Sequence, residues 1–169
     1  VVTSANGKSV TSSAGKIIVQ PAITTQPKNV TAKVGATATF TVKASGANLS
    51  YQWQYSNDGG TTWKNSSAKT ASITTSALTA ARDGQLYRCV VTSANGKKVT
   101  SSTAKIVIQP AITTQPKDAS GKVGAKATFK VVATGANLSY QWQYSDNNGK
   151  TWKNSSSTKA SVTTEITAA

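Results

Sequence analysis

Along most of the chain, apolar side chains alternate with polar ones at a period of two, the spacing of a strand that buries one face and wets the other. The clearest instance is Tyr51-Gln52-Trp53-Gln54-Tyr55, where aromatics and glutamines take turns. The same five residues return as Tyr140-Gln141-Trp142-Gln143-Tyr144, 89 residues later. Both stretches are predicted to be central strands, with Trp53 and Trp142 as deeply buried plugs. Ala36-Thr37-Ala38-Thr39-Phe40-Thr41-Val42 alternates in the same way and is expected to turn Ala38, Phe40 and Val42 inward. Further strands are expected at Ala71–Thr75 and Leu86–Val91, after the second hairpin (the strand carrying Trp63), and between Pro21 and Pro27, where proline suits an edge or a strand start.

Turn chemistry separates these strands. Asn6-Gly7 and Asn95-Gly96 lie between β-rich runs and mark hairpins, with both residues able to take positive φ. Asn57-Asp58-Gly59-Gly60 marks another hairpin, and Ala80 to Gln85 a corner. Val1-Val2-Thr3-Ser4-Ala5-Asn6-Gly7-Lys8 matches Val90 to Lys97, so the repeat divides the chain into three parts. Residues 1–19 correspond to the closing strands of a preceding unit, 20–108 to a complete domain, and 109–169 to the opening part of a following one, with one residue deleted near Glu165. No Gly/Ser-rich spacer separates them, so the connections are expected to be short and stiff. The first and last parts together lack a counterpart of Arg82–Cys89. Copies are accordingly expected to meet head to tail, the kind of contact that builds open filaments.

Threonine, serine, valine, alanine and lysine dominate the remainder, which favours strands over helices. Seventeen lysines and two arginines against five acids give a net charge of +14. The lysines are scattered, only Lys97-Lys98 being adjacent, whereas a nucleic-acid reader gathers its basic residues on one face and is richer in arginine. The charge is therefore read as a solvated, self-repelling surface, without dedicated nucleic-acid binding. No apolar run is long enough to span a membrane, and Val1 follows no initiating methionine or leader, so the sequence is read as part of a longer product. The single cysteine, Cys89, can form no disulfide within the chain.

Asp83-Gly84-Gln85-Leu86-Tyr87-Arg88-Cys89, with Trp53 upstream, resembles the Asp-x-Gly/Ala-x-Tyr-x-Cys signature of immunoglobulin-like domains. The resemblance implies an all-β fold of tandem immunoglobulin-like β-sandwich repeats. It implies also that the Tyr87 hydroxyl bonds back to the corner backbone. Two departures stand out: Gln85 replaces a small residue, and Val42 stands where the first disulfide cysteine would be. The core is then expected to rest on apolar packing of Phe40, Val42, Trp53, Leu86, Tyr87 and Cys89, with Phe129, Val131 and Trp142 as counterparts in the next copy. The wording Ile-Thr-Thr-Gln-Pro-Lys and Tyr-Gln-Trp-Gln-Tyr-Ser-Asn-Asp-Gly-Gly is similar to tandem Ig-like repeats of large bacterial surface and secreted proteins. That similarity implies an extracellular stalk, fibre or adhesin.

Candidate chemistry is sparse. There is no histidine, and the five acids are Asp58, Asp83, Asp118, Asp146 and Glu165, mostly in turns, where carboxylates stabilise local backbone. Asp58 and Asp146 belong to the same repeated turn. With no base or nucleophile pair, no calcium-type acidic loop and a cysteine expected to be buried, neither an enzyme nor a metal or cofactor site is expected. An isopeptide cross-link would need a buried acid, and none falls at an inward strand position. Two contact candidates remain, Trp63 and Trp152, each in Thr-Trp-Lys-Asn-Ser. Such tryptophans either stack on a glycan or anchor a host protein, or else cover the open end of the sandwich or a neighbouring domain. The expected role is a structural repeat of a surface fibre whose partners are other copies of itself; the alternative is an adhesin module binding through these aromatics.

Overall fold

The computed structural model of the chain describes residues 1–167. It is all-β apart from a single 3-10 turn at Ala80–Arg82. A first hairpin pairs β1 (Val2–Thr3) with β2 (Ser9–Val10), and residues 11–21 follow without a strand. Ten strands then succeed one another: β3 (Ala22–Thr25), β4 (Val30–Lys33), β5 (Thr39–Thr41), β6 (Lys43–Ser45), β7 (Ser50–Ser56), β8 (Lys64–Asn65), β9 (Ser72–Thr74), β10 (Leu86–Thr92), β11 (Lys98–Thr100) and β12 (Ala104–Gln109).

These ten make two layers. One has the order β4-β12-β10-β7-β8, with β11 also on β10. The other pairs β3 with β6 and β5 with β9, where β5 and β6 are one run interrupted at Val42, whose N–H donates to Ala71 O. The first strand changes layer in mid-course. After β3 the chain passes buried Pro27, which has no N–H to offer a ladder, and re-enters the opposite layer as β4, parallel to β12. Side chains prepare that parallel pair: Gln26 Oε1 accepts from Ser102 N, and Asn29 Oδ1 from Lys105 N. This layer switch and sheet order define an immunoglobulin-like β-sandwich.

The centre is the seven-residue pairing of β7 with β10, which sets Cys89 opposite Trp53. Trp53 is 0% exposed, and its indole N–H donates to Thr70 O at 3.0 Å, so its polar tip is satisfied inside the core. Phe40 from the other layer stacks on Tyr87 with ring centroids 4.7 Å apart and lies 6.4 Å from Trp53. Phe40, Val42, Trp53, Tyr87 and Cys89 are all buried, together with Leu78, Val91, Ile106 and Ile108. Leu86 is not among them. It stands an odd number of residues from Tyr87 and Cys89, and alternation puts it on the outer face, against Gly60.

Residues 109–167 repeat the second layer with every register displaced by the sequence period. β13 (Ala111–Thr114) pairs with β15 (Val132–Thr134), and β14 (Lys126–Lys130) with β18 (Ser161–Glu165), bringing Phe129 opposite Val162 as Phe40 stands opposite Ile73. The aromatic strand expected at 140–144 shrinks to β16 (Gln143–Tyr144), paired with β17 (Lys153–Asn154). Among the described residues nothing plays the part of β10 against it, and without that ladder the run does not extend. For the same reason Phe129, Val131 and Trp142 are half-buried; the deep burial expected of Trp142 is not reached. Residues 16–19 show the converse. Ile17 is 91% exposed, whereas Ile106, at the same place in the repeat, is 0% exposed because β4 and β10 flank it.

The Asn-Gly turns use less of their freedom than expected. In the β10–β11 hairpin only Gly96 takes positive φ, at 79°; Gly96 N bonds Ser93 O and Ser93 N bonds Lys97 O, closing a three-residue loop. Asn95 contributes through its side chain.

Candidate functional site

The loop from Ser56 to Trp63, which carries the first contact candidate, is built from its serine and aspartate upward. Ser56 is buried at the end of β7; its hydroxyl accepts from Gly60 N at 2.9 Å and donates to Asp58 Oδ1 at 2.6 Å. Asp58 in turn accepts from Thr62 N and from the Thr62 hydroxyl. The Ser56 hydroxyl, followed by Thr62, holds the Asp58 carboxyl well below the usual carboxylate range. In the next copy the same loop places Asn147, not Asp146, at this position, and Thr151 N donates to its Oδ1 at 2.9 Å. Asp146 sits one residue earlier and pairs with Lys153 at 3.1 Å on the exposed surface.

This loop delivers Trp63 just before β8, onto the outer face of the β7–β10 sheet. The indole N–H donates to Gly60 O at 2.9 Å. Arg88 comes from β10 to lie 3.9 Å over the ring, while its Nε donates to Gln54 Oε1 at 2.9 Å; Gln54 Nε2 continues to Asn65 Oδ1. Trp63 is therefore half-buried, with one ring face covered by a guanidinium and its only polar atom satisfied within the chain. Trp152 is 60% exposed. Among the described residues no guanidinium lies over Trp152, so the two tryptophans differ in cover although their local sequences agree. Gln143 and Asn154 repeat the amide pair of Gln54 and Asn65.

At the corner, the Tyr87 hydroxyl does not reach the backbone as the resemblance implied. It donates to Gln85 Oε1 at 2.9 Å, and Gln85 Nε2 donates to Asn57 Oδ1. The larger residue at position 85 occupies the space and relays the bond to the Ser56–Trp63 loop. The neighbouring acid is used by the backbone: Asp83 Oδ1 accepts from Ile108 N at 2.7 Å.

Nothing in this arrangement converges on a reacting group. All five acids are exposed. Cys89 is buried, and burial pushes its thiol up to about 11, away from the thiolate that would make it a nucleophile. Among the described residues no group of three metal-ligating side chains comes together. Arg88 and Gln54 carry the structure around the candidate tryptophan, and no sequence motif marks either as part of a site. Alternation along β10 marks Arg88 as outward, but only the β8-β7-β10 order shows that it meets Trp63.

The class defined by this fold is the immunoglobulin-like β-sandwich. Within it, the chain belongs to the family described as a domain of unknown function, DUF8696, whose model matches residues 22–110, more than half of the chain. It is 35% identical over 127 residues to endoglucanase C of Cellulomonas fimi, a match covering 73% of this chain and 11% of that protein. The chain thus spans about a tenth of the curated relative it matches. Solved structures similar in fold include the titin I-band fragment I67–I69, at 16% identity and a TM-score of 0.48, covering 87% of this chain and 55% of that one. The Ig1-2 module of the Drosophila receptor protein tyrosine phosphatase DLAR is similar at 19% identity and a TM-score of 0.41, covering 87% and 84%.

Proposed function

We propose that the chain is a non-catalytic structural segment of an extracellular bacterial fibre or surface stalk, in which Ig-like units follow one another head to tail. Residues 1–19 are then the end of one unit, 20–108 a whole unit, and 109–169 the opening of the next. The observation that carries this reading is the repeated register: the β13–β15 and β14–β18 pairings contain every residue pair of β3–β6 and β5–β9, displaced by the sequence period. A chain that repeats its scaffold and equips neither copy with a converging reactive site is suited to spanning distance. The relationship to a segment of an endoglucanase is compatible with a non-catalytic module outside the cell, as is the absence, among the described residues, of a helix long and apolar enough to cross a membrane. Binding of a host protein or glycan through Trp63 and Trp152 is the competing reading, and the Arg88 cover over Trp63 weighs against it.

Negative-stain imaging with light scattering across a concentration series tests the proposal. Elongated particles that lengthen with concentration, at a width of one unit, are expected. Compact particles of constant mass, or a saturable increase in glycan binding that Trp152→Ala abolishes, would overturn it in favour of the adhesin reading.

A further inference from the structure

Asn95 stands exposed at the tip of the β10–β11 hairpin, and its side chain bonds in two directions. Oδ1 accepts from the Ser93 hydroxyl and from Lys97 N, which shapes the loop. Nδ2 donates to Val19 O at 2.8 Å, a residue 76 positions earlier. That second bond ties the segment before Pro21, which has no strand of its own, to the domain that follows it. A carboxylate at position 95 could keep the first set of bonds, as shown by Asp58 and Asn147, which serve interchangeably as acceptors in equivalent turns. It could not keep the second, because it would present an acceptor to a carbonyl oxygen.

Asn95 is followed by Gly96, the residue whose amide nitrogen is least hindered in attacking the asparagine carboxamide. We propose that Asn95-Gly96 is a site of spontaneous deamidation and that its product releases residues 16–20 from the hairpin. In the first step the Gly96 nitrogen forms a bond to Asn95 Cγ, the Cγ–Nδ2 bond breaks, and ammonia leaves, taking up the amide proton. Water then opens the resulting succinimide at either carbonyl, leaving aspartate or isoaspartate. Both products lack the donor that holds Val19 O. In the native hairpin Gly96 N–H is engaged with Ser93 O at 2.8 Å, so the conversion is slow and reports the age of the folded protein. Asn6-Gly7 has the same chemistry and the same local bonds, Gly7 N to Ser4 O and Lys8 N to Asn6 Oδ1, and serves as an internal control. The inference does not depend on the stalk reading, since it concerns only how two stretches of this chain are held together.

The test uses the full 169-residue protein. Peptide mapping after incubation in mildly alkaline buffer is expected to show a one-dalton gain at Asn95. Heteronuclear NOE measurements on Asn95→Asp are expected to show loss of backbone order over Ile17–Gln20 with the Lys97 and Lys98 amides unmoved, whereas Asn6→Asp leaves Ile17–Gln20 as in the wild type. Should Asn95→Asp fail to fold, partly aged wild-type protein gives the same readout as a second set of peaks for Ile17–Gln20. Unchanged order over Ile17–Gln20 in Asn95→Asp, or conversion at Asn6 with none at Asn95, would overturn the proposal.

Discussion

The guanidinium of Arg88 lies 3.9 Å above the ring of Trp63, and it is held there by a second bond from its Nε to Gln54. A planar cation packed on the indole leaves less of the ring for a ligand. Arg88→Ala is expected to increase acrylamide quenching of tryptophan fluorescence and to cost about 0.5–2 kcal/mol in denaturant unfolding. The added quenching should vanish when Trp63→Phe is combined with it.

Trp53 and Trp142 share a sequence but not an environment. Trp53→Ala is expected to destabilise residues 20–108 by about 3–5 kcal/mol, the range for emptying a large aromatic site in a packed core. Trp142→Ala, at a half-buried site, should cost clearly less. Hydrogen exchange resolved by peptide measures the two separately, and equal costs would show the half-built layer to be as well packed as the complete one.

Tyr87→Phe removes the donor to Gln85 Oε1 and leaves a buried carbonyl oxygen without its partner. The expected cost is about 1–3 kcal/mol, the penalty for an unsatisfied buried polar group. Combining it with Gln85→Ala should cost less than the sum of the two single changes, because the second removes the stranded oxygen; strict additivity in the double-mutant cycle would show that the relay does not exist.

Asp58 accepts four hydrogen-bond contacts from Ser56 and Thr62, and its folded-state pKa lies below that of an unfolded aspartate. A depressed carboxylate contributes stability that is fully present above the unfolded value of about 3.9 and is lost as pH falls from there through the folded value. Acid unfolding of the wild type should therefore show a component that Asp58→Asn abolishes. The equivalent turn at Asn147 carries no such charge, so its Thr151 amide should keep its protection over the same acid range.

Cys89 is fully enclosed, and its thiol is raised to about 11. Modification by a maleimide near neutral pH should be slow in the native protein and fast in denaturant, with a native rate set by opening of the sandwich. Rapid native labelling would contradict the burial.

What sequence reading could reach depended on the reach of each signal. Period-two alternation located β5, β7 and β10 and assigned Phe40, Trp53 and Cys89 to one interior, because alternation is a property of a single strand and its own neighbours. The same rule places Leu86 on the opposite face, since it cannot share a face with Cys89 three residues away. The turn motifs located the hairpins but not their detail, since Asn-Gly permits two positive φ values and the three-residue loop at Gly96 uses one.

The sequence by itself determined the repeat, the strand pattern, the all-β class and the lack of a histidine or an acidic cluster, all of which are local or compositional. Tertiary structure alone decided the rest. Which face of Trp63 is covered depends on β10 lying two strands away from β8. Where the Tyr87 hydroxyl goes depends on the volume of Gln85 and the nearness of Asn57, 28 residues upstream. Trp142 remains half-buried while Trp53 is sealed, though each is the centre of the same five-residue sequence, because burial is conferred by the strand that pairs alongside and not by the strand that carries the side chain.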